Sequence, residues 1–384
     1  MRLFLTTIAI ASLLPTVLSW GAAGHEIVAT IAQIHLHPST RQKLCGILPP
    51  EARCHLAPIA AWADQVRNRY RGTAPMHYVN AKSDHPADHC EFGEHGWMDE
   101  DVNVLTAIAN MTQLVMDGKG DIPLRFLVHF MGDLHQPLHL AGRDKGGNGA
   151  MFLFEGHHRN LHSVWDSGII TKNIRELSNY TSPLPSKQIE SALLGAIFDP
   201  YVRFIVWEGI REWWRDDFPS WLSCPPSGDP YPHSSNSDIP PSAPSFLHIL
   251  RSATSLVLNI IPEKFIAPLT LAFPIPLEET HELPNKLLSL HPDKEGNHTS
   301  FPACPYTWAK ELHQINCDIA WPAEYTGIPG EPLIELDTDQ YLGRLKREKT
   351  VEKLLAMAGL RLASVVNEAL GEGAYGALNF DYRA

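Results

Sequence analysis

Histidine and aspartate recur at a four-residue spacing in two short stretches of this chain. One stretch holds His129 and Asp133, and the other holds His162 and Asp166. On a helix this spacing places both side chains on one face, about one turn apart. There an imidazole and a carboxylate can chelate one metal ion or bridge two. A single such pair is more often a hydrogen bond on a helix face, but two pairs in apolar surroundings, with His139 close behind the first, favour a metal site, because burying so many ionisable groups without metal is costly.

The amino terminus supplies a second kind of donor. Residues 1–19 are typical of a secretory signal peptide, with Arg2 before an apolar run from Leu3 to Leu18 and small residues before a cleavage point after Ser19. Cleavage there would leave Trp20 as the first residue. Its amine has an ordinary pKa near 8, so a metal can displace the proton, and the amine, the Trp20 carbonyl and His25 could bind one zinc ion. The alternative is an ordinary junction before a helix.

Cysteine and sequon content agree with secretion. The chain has six cysteines, and an even number in an oxidising compartment favours disulfides over free thiols. Three sequons begin at Asn110, Asn179 and Asn297, each a potential glycosylation site. We therefore expect an extracellular protein.

Charge limits how the chain could hold a polyanion. The formal net charge is −12, whereas a protein that wraps nucleic acid through a basic face carries the opposite sign. Three divalent metal ions would place positive charge inside one cleft. The composition therefore argues against nonspecific wrapping but is compatible with a phosphate substrate.

Helical periodicity dominates the sequence and predicts a mainly α fold with long loops. Apolar residues recur at helical spacing over His25–His35, Leu124–Leu134 and Glu352–Leu370. The best strand candidate is Met151–Phe154, after a glycine-rich turn. No apolar run outside residues 1–19 is long enough to predict a membrane span, and we expect a monomer without stable membrane association.

A proline- and serine-rich region interrupts this pattern between 225 and 303. We expect one domain over 20–384 with this region inserted, and a Cys224–Cys304 disulfide at its neck, because the residues that flank an insertion must be close in space. A region packed into the core, or an erroneous gene model, are the alternatives.

The two His/Asp pairs lie within two longer motifs. One reads His129-Phe-Met-Gly-Asp-Leu-His-Gln-Pro-Leu-His139, and the other reads Asn160-Leu-His-Ser-Val-Trp-Asp166. Together with the upstream donors they resemble the trinuclear-zinc, single-strand-specific nucleases of fungi and plants, whose distant relatives are bacterial zinc phospholipases C. The resemblance covers 20 to about 224 and resumes at Trp308 and at Ala358. It implies the mainly α, multi-helix fold of that superfamily.

The resemblance also implies three zinc sites and a disulfide. Cys90 would pair with Cys317, which leaves Cys45 for Cys54, and relatives often carry a second short-range cysteine pair beyond Cys90 that this chain lacks. The implied ligands are Asp64, His77, His129 and Asp133 for the first zinc; Trp20, His25 and the bridging Asp133 for the second; and His139, His162 and Asp166 for the third.

Four residues are given roles other than metal binding. Asp64 could also orient the nucleophile, and Arg67 could offer its guanidinium to the phosphate or form an ordinary surface ion pair. Tyr78 is the candidate ring for stacking an unpaired base, with Asn80 for hydrogen bonding to the base edge; core packing is the alternative for Tyr78.

The remaining aromatic and imidazole side chains are given structural roles. His135 is expected to orient a ligand. The other histidines are expected at the surface or behind the ligands, and a tryptophan cluster is expected in the core. These groups are His35, His37, His55, His157 and His158, and Trp207, Trp213, Trp214 and Trp221.

The sequence thus favours a secreted zinc endonuclease that hydrolyses single-stranded DNA and RNA to 5′-phosphorylated products, with 3′-nucleotidase activity. A zinc phospholipase C is the first alternative, although that branch uses Glu where this chain has Asp166. A non-catalytic secreted zinc-binding protein is the second.

Overall fold

The computed structural model describes residues 20–67, 69–183, 186–231, 301–371 and 378–380. The predicted signal peptide, most of the predicted insertion and Asn297 lie outside the described residues. The helices are α1 (Ala22–His35), α2 (Pro38–Ile47), α3 (Trp62–Val66), α4 (Val104–Met116), α5 (Asp121–Leu134), α6 (Leu161–Ser163), α7 (Ile169–Glu176), α8 (Lys187–Glu190), α9 (Asp199–Phe204), α10 (Phe218–Leu222), α11 (Pro305–Ile315), α12 (Leu342–Glu348) and α13 (Thr350–Leu370). The mainly α fold is confirmed, and among the described residues no helix is both long and apolar enough to cross a bilayer.

The apolar periodicity predicted three helices, which the structure confirms as α1, α5 and α13. Their ends differ from the predicted ones by at most a few residues. The second His/Asp pair differs more, because His162 lies in the short α6 and Asp166 lies in a π-helical turn, Val164–Gly168, that leads into α7. Wide turns of this kind are frequent at functional sites.

The core is built on α1 and α13, which pack against each other, with α4 and α5 beside α13. α13 is buried along most of its length. A Cβ at Gly359 would lie 2.4 Å from Ile31 Cγ2, so the absence of a side chain there lets the two helices approach. This packing fixes α1 and α5, which both carry predicted ligands.

A small hairpin precedes α6. Strands β1 (Met151–Phe154) and β2 (His157–Asn160) pair antiparallel, with Phe154 opposite His157. The two turn residues, Glu155 and Gly156, both have positive φ, as a tight two-residue hairpin turn requires. The predicted strand is confirmed, and the hairpin feeds the chain directly into the segment of His162 and Asp166.

The structure forms three disulfides, and each joins cysteines that the sequence analysis paired. These are Cys45–Cys54, Cys90–Cys317 and Cys224–Cys304, with Cα–Cα distances of 4.4, 6.0 and 5.7 Å.

The described ends of the predicted insertion pack on the rest of the protein. Asp229 accepts hydrogen bonds from the backbone N–H groups of Tyr306 and Thr307 at the start of α11. The Tyr231 ring stacks on Trp97 with centroids 5.7 Å apart. Two residues of the predicted insertion, Asp229 and Tyr231, therefore contact the helical domain, and the insertion from residue 232 to residue 300 lies outside the described residues.

Two predictions about histidines were wrong. His35 and His55, expected at the surface or behind the ligands, are buried and bond to the backbone carbonyls of Ile31 and Ala192, which are not predicted ligands. His135 does not orient a ligand side chain, because its Nδ1 donates to the Met131 carbonyl and its Nε2 lies 2.9 Å from the guanidinium of Arg361.

The tryptophan cluster is in the core except for one member. Trp207, Trp214 and Trp221 are buried, whereas Trp213 is 42% exposed.

Candidate metal centre

Six segments bring the eight predicted imidazole and carboxylate ligands together. α1 supplies His25, α3 supplies Asp64, and α5 supplies His129 and Asp133. The other four lie outside these three helices. His77 ends one 3₁₀ segment and His139 lies in another, while His162 lies in α6 and Asp166 in the π-helical turn that follows it. The groups whose donor atoms lie within 4.8 Å of one another are His25/Asp64/His129, His77/His129/Asp133 and His139/His162/Asp166.

Asp133 stands at the middle of the centre with its two oxygens facing different imidazoles. Oδ2 lies 3.0 Å from His77 Nδ1 and 3.3 Å from His129 Nε2. Oδ1 lies 3.5 Å from His25 Nε2 and 3.6 Å from His139 Nδ1. Donors held at about 2.0–2.2 Å by one tetrahedral zinc ion lie roughly 3.3–3.6 Å apart. This spacing would allow the carboxylate to bind metal through both of its oxygens.

Backbone carbonyls orient three of the imidazoles. Nδ1 of His129, His139 and His162 bonds to the carbonyls of Ala60, His77 and Gly146, at 2.8, 2.6 and 2.6 Å. In a neutral imidazole this leaves Nε2 with a lone pair. A metal-binding histidine is held in the same way, with its second nitrogen bonded to a carbonyl or carboxylate.

Several donor atoms are buried without a hydrogen-bond partner among the described residues. They are Asp64 Oδ1, His77 Nε2, Asp133 Oδ1, His139 Nε2 and His162 Nε2. Buried polar atoms are almost always satisfied, so a cluster of orphans calls for an ion or water. His129 Nε2 also lies only 3.2 Å from His77 Nδ1, so these two nitrogens could share one proton or bind one metal ion. The residues fit metal ions.

The pKa shifts have the same origin. Burial, and then the neighbouring imidazoles, hold the pKa of His25 and His77 well below the usual value. Burial, and then Asp64 and Asp166, hold the pKa of Asp133 well above it. For His129 burial acts downward, but Asp133 and Asp64 outweigh it and raise the pKa to about 9. Burial therefore favours the neutral forms of His25, His77 and Asp133, whereas the nearby carboxylates favour the protonated form of His129.

Gln136, to which the sequence alone gave no role, positions Asp166 in the His139/His162/Asp166 group. His162 Nε2 lies 3.1 Å from Asp166 Oδ2. Gln136 donates from Nε2 to Asp166 Oδ1 at 2.6 Å and accepts from the Leu138 N–H. Its place within the His-Gln-Pro-Leu-His motif was the signal that could have revealed it.

Gly132 gives His25 room to enter the centre. A Cβ at Gly132 would lie 2.5 Å from His25 Nδ1. The His25 ring stacks on His129 with centroids 3.9 Å apart. The glycine of the His-Phe-Met-Gly-Asp motif is therefore a requirement of close packing.

Trp20 is buried next to the third group. Its side chain is 0% exposed, and the N–H of Gly21 donates to the Asp166 carbonyl at 2.8 Å. A Cβ at Gly24 would lie 2.9 Å from Trp20 Cβ. The first described residues therefore pack against the segment that carries Asp166.

The predicted residues beside the ligands are all half-buried. Arg67 is close enough for its charge to lower the pKa of His77, His139 and Asp133. Tyr78 follows ligand His77, and burial together with Asp99 raises the pKa of its hydroxyl. The backbone carbonyl of Asn80 accepts from the Met98 N–H at 2.9 Å.

Two of the sequons lie within the described residues. Asn110 is half-buried within α4, and Asn179 is exposed after α7.

The fold and site define a helical protein with a buried histidine–aspartate cluster that could bind metal, and the comparisons give its family. The model of the S1/P1 nuclease family matches residues 20–213. This chain belongs to that family.

Named relatives agree with this assignment. Nuclease P1 of Penicillium citrinum is 39% identical over 155 residues, covering 38% of this chain and 57% of that protein. Endonuclease 2 of Arabidopsis thaliana is 32% identical over 231 residues, covering 55% and 70%. Nuclease S1 of Aspergillus oryzae is 33% identical over 175 residues, covering 42% and 58%. The chain thus spans just over half the length of the two fungal relatives.

Proposed function

We propose that the chain is a secreted, zinc-dependent endonuclease. It hydrolyses single-stranded DNA and RNA to 5′-phosphorylated products and also removes the phosphate of 3′-nucleotides. Family membership and the names of the relatives support this proposal. The observation that carries it is the Asp133 carboxylate, whose oxygens face two sets of imidazoles 3.0–3.6 Å away.

Three zinc ions are the proposed cofactor. Asp64, His77, His129 and Asp133 would hold the first; Trp20, His25 and Asp133 the second; and His139, His162 and Asp166 the third. When bound, zinc supplies Lewis acidity toward phosphate oxygens and makes hydroxide available near neutral pH. Imidazole and carboxylate donors in a buried, preorganised centre support zinc over magnesium, which prefers oxygen donors and keeps several waters.

Two side chains act on the phosphate or its nucleophile. Asp64 is mostly buried, with a side-chain exposure of 7%, and its Oδ1 is orphaned at 3.6 Å from His129 Nε2, so it can orient a water molecule as well as bind metal. Arg67 lies one turn after Asp64 on the same short helical segment. Its planar guanidinium can bind two phosphate oxygens as negative charge develops in the transition state.

Selectivity for single strands follows from the depth of the centre. Among its side-chain ligands, Asp133, His129 and His25 are 0% exposed, so a stiff duplex cannot bring its backbone into contact. An unpaired nucleotide can turn toward the centre and stack on an aromatic ring. Tyr78 and Asn80, both half-buried beside His77, are the proposed stacking and base-edge groups.

A turnover assay tests the proposal. Purified secreted protein is offered denatured DNA, RNA, 3′-AMP and phosphatidylcholine, before and after treatment with a zinc chelator, and its metal content and amino terminus are measured. We expect 5′-mononucleotides from the metal-loaded protein only, a Trp20 terminus and about three zinc ions per chain.

Other outcomes have defined meanings. Hydrolysis of lipid alone would support the phospholipase alternative, and full zinc content without turnover would support a binding protein. Full activity with fewer than two metal ions per chain would overturn the trinuclear centre.

Replacing Arg67 separates catalysis from metal binding. Arg67→Ala should lower kcat by about 10²–10³, the usual cost of losing one group that stabilises transition-state charge, with zinc content unchanged. Arg69→Ala is the matched control, because Arg69 is exposed and two residues away. Equal activity of the two variants would assign Arg67 to an ordinary ion pair.

A further inference from the structure

A second buried cluster lies outside the histidine–aspartate centre, beneath the Cys90–Cys317 disulfide. Asp84 Oδ2 and His313 Nε2 are 3.0 Å apart, and their side chains are 0% and 3% exposed. Apart from this ion pair, neither atom makes a hydrogen bond within the described part of the chain. The other oxygen, Asp84 Oδ1, accepts from the Glu91 N–H at 3.0 Å, which holds the carboxylate in place. The Asp84 carboxylate and the His313 imidazole therefore meet at one buried spot, where each faces the other.

Sulfur atoms lie at the same spot. Donor atoms of Asp84, Cys90 and His313 are all within 4.8 Å of one another, and Cys317 Sγ is bonded to Cys90 Sγ. His313 and Cys317 are four residues apart on α11 and the helical turn that continues it, so they share one face. Asp84 and Cys90 come from the loop that crosses this face. Two segments thus supply two donors each.

We propose that this cluster becomes a structural zinc site when the Cys90–Cys317 disulfide is reduced. An external dithiol would donate two electrons and two protons, becoming a disulfide itself and leaving two thiols. Binding of Zn²⁺ would release both thiol protons, so that two thiolates, the Asp84 carboxylate and a neutral His313 imidazole form a four-donor set. The sulfurs of one tetrahedral zinc lie roughly 3.8 Å apart, a separation that rotation of the two cysteine side chains can supply.

The surroundings favour a closed structural site. Phe92 stacks on the His313 ring with centroids 4.8 Å apart, and Tyr306 stacks on Phe92 in turn. Four protein donors leave no position for substrate, as in other structural zinc sites. The bound ion would keep the loop attached to α11 in a reducing environment, where the covalent link is lost.

Cobalt provides a specific probe, because the histidine–aspartate centre contains no sulfur. The full-length protein is reduced with a phosphine, given Co²⁺, and followed by absorption in the near ultraviolet. We expect a thiolate-to-cobalt charge-transfer band in reduced protein, none in oxidised protein, and roughly one additional metal equivalent on reduction. Absence of the band in the reduced, folded protein would overturn the proposal.

Variants locate the band. It should be lost in His313→Asn and in Asp84→Asn, and retained in the Cys45→Ser/Cys54→Ser double variant, whose disulfide is elsewhere. Loss in that double variant with retention in His313→Asn would place the metal on other thiols and refute the site. Circular dichroism of each oxidised variant checks folding.

Alkylation gives a second readout that does not depend on the variants. In reduced wild-type protein, Zn²⁺ should protect Cys90 and Cys317 from iodoacetamide, as read by peptide mass mapping. Cys45, Cys54, Cys224 and Cys304 should still react. Equal reaction of all six cysteines with and without Zn²⁺ would contradict the proposal.

Discussion

Single residues set the geometry of the metal centre, and the most informative ones are not ligands. Gln136 holds Asp166 through a 2.6 Å hydrogen bond, and Gly132 leaves room for the His25 ring. Each acts on one ligand, so substitutions there test the arrangement without removing a donor atom. Both belong to the motif between 129 and 139, which mixes ligands with the residues that support them.

Gln136→Leu should weaken the third metal position. The substitution removes a donor to Asp166 and leaves that carboxylate oxygen without its partner. Outer groups of this kind usually contribute 10–100-fold in metal affinity or activity, so a loss of about that size is expected in zinc titrations and turnover. Gln113→Leu, at an exposed position on α4, is the control and should change neither quantity. Unchanged zinc affinity in Gln136→Leu would show that the bond is incidental.

Gly132→Ala should disrupt the centre although alanine favours helices. Its Cβ would fall 2.5 Å from His25 Nδ1, so either the ring or α5 must move. We expect loss of metal and of the proposed activity, measured by elemental analysis and turnover. Gly46→Ala is the matched control, because a Cβ there meets nothing within 4 Å, and it should raise the free energy of unfolding by up to about 1 kcal/mol. A fully loaded, active Gly132→Ala protein would contradict the close packing.

At the scale of elements, a few helices and one wide turn position the ligands. α1 and α5 carry three ligands between them, and α13 packs against both. His35 is the last residue of α1 and is fully buried. Its Nδ1 donates to the Ile31 carbonyl at 2.7 Å. This histidine links the stability of α1 to pH.

His35 should make folding less favourable in acid. Burial lowers its pKa from 6.5 to about 4 in the folded protein, so the unfolded state takes up the proton first. Stability is intact above pH about 6.5 and falls as the pH drops toward 4, by about 3 kcal/mol in total. In His35→Asn, urea midpoints should decline less between pH 7 and pH 4.5 than in wild type. His158→Asn, at an exposed position, should decline as the wild type does; an equal decline in His35→Asn would refute the assignment.

At the scale of the whole molecule, disulfides and buried polar links join segments that are distant in sequence. Arg361 on α13 bonds to the Trp221 carbonyl at 2.8 Å, lies 2.9 Å from His135 Nε2, and stacks over Trp308 at 5.2 Å. Cys224–Cys304 closes the region before α11. These links complete the core across the predicted insertion.

Removing residues 232–300 should leave the rest of the protein intact. With about ten glycine and serine residues joining Tyr231 to Phe301, the ends that pack on Trp97 and α11 are retained, and loop closure changes by only about 1–2 kcal/mol. We expect an unchanged thermal midpoint, zinc content and turnover. If this variant fails to fold, while a variant that lacks fewer residues of the same region still folds, the region belongs to the core.

The sequence alone predicted the types of the proposed ligands, the two helices, α1 and α5, that carry three of the eight side-chain ligands, and the cysteine partners. It could do so because i,i+4 spacing and apolar periodicity are local properties, and because the two motifs between 129 and 166 are highly specific. It failed for His35, His55 and His135, since the burial of a histidine depends on what packs over it. Tertiary structure decided that Asp133 turns its two oxygens to different imidazoles, that the carbonyls of Ala60, His77 and Gly146 orient the rings, and that Asp84 and His313 meet under a disulfide. These are contacts between segments far apart in the chain, and a distance across the fold is fixed by packing and not by sequence spacing.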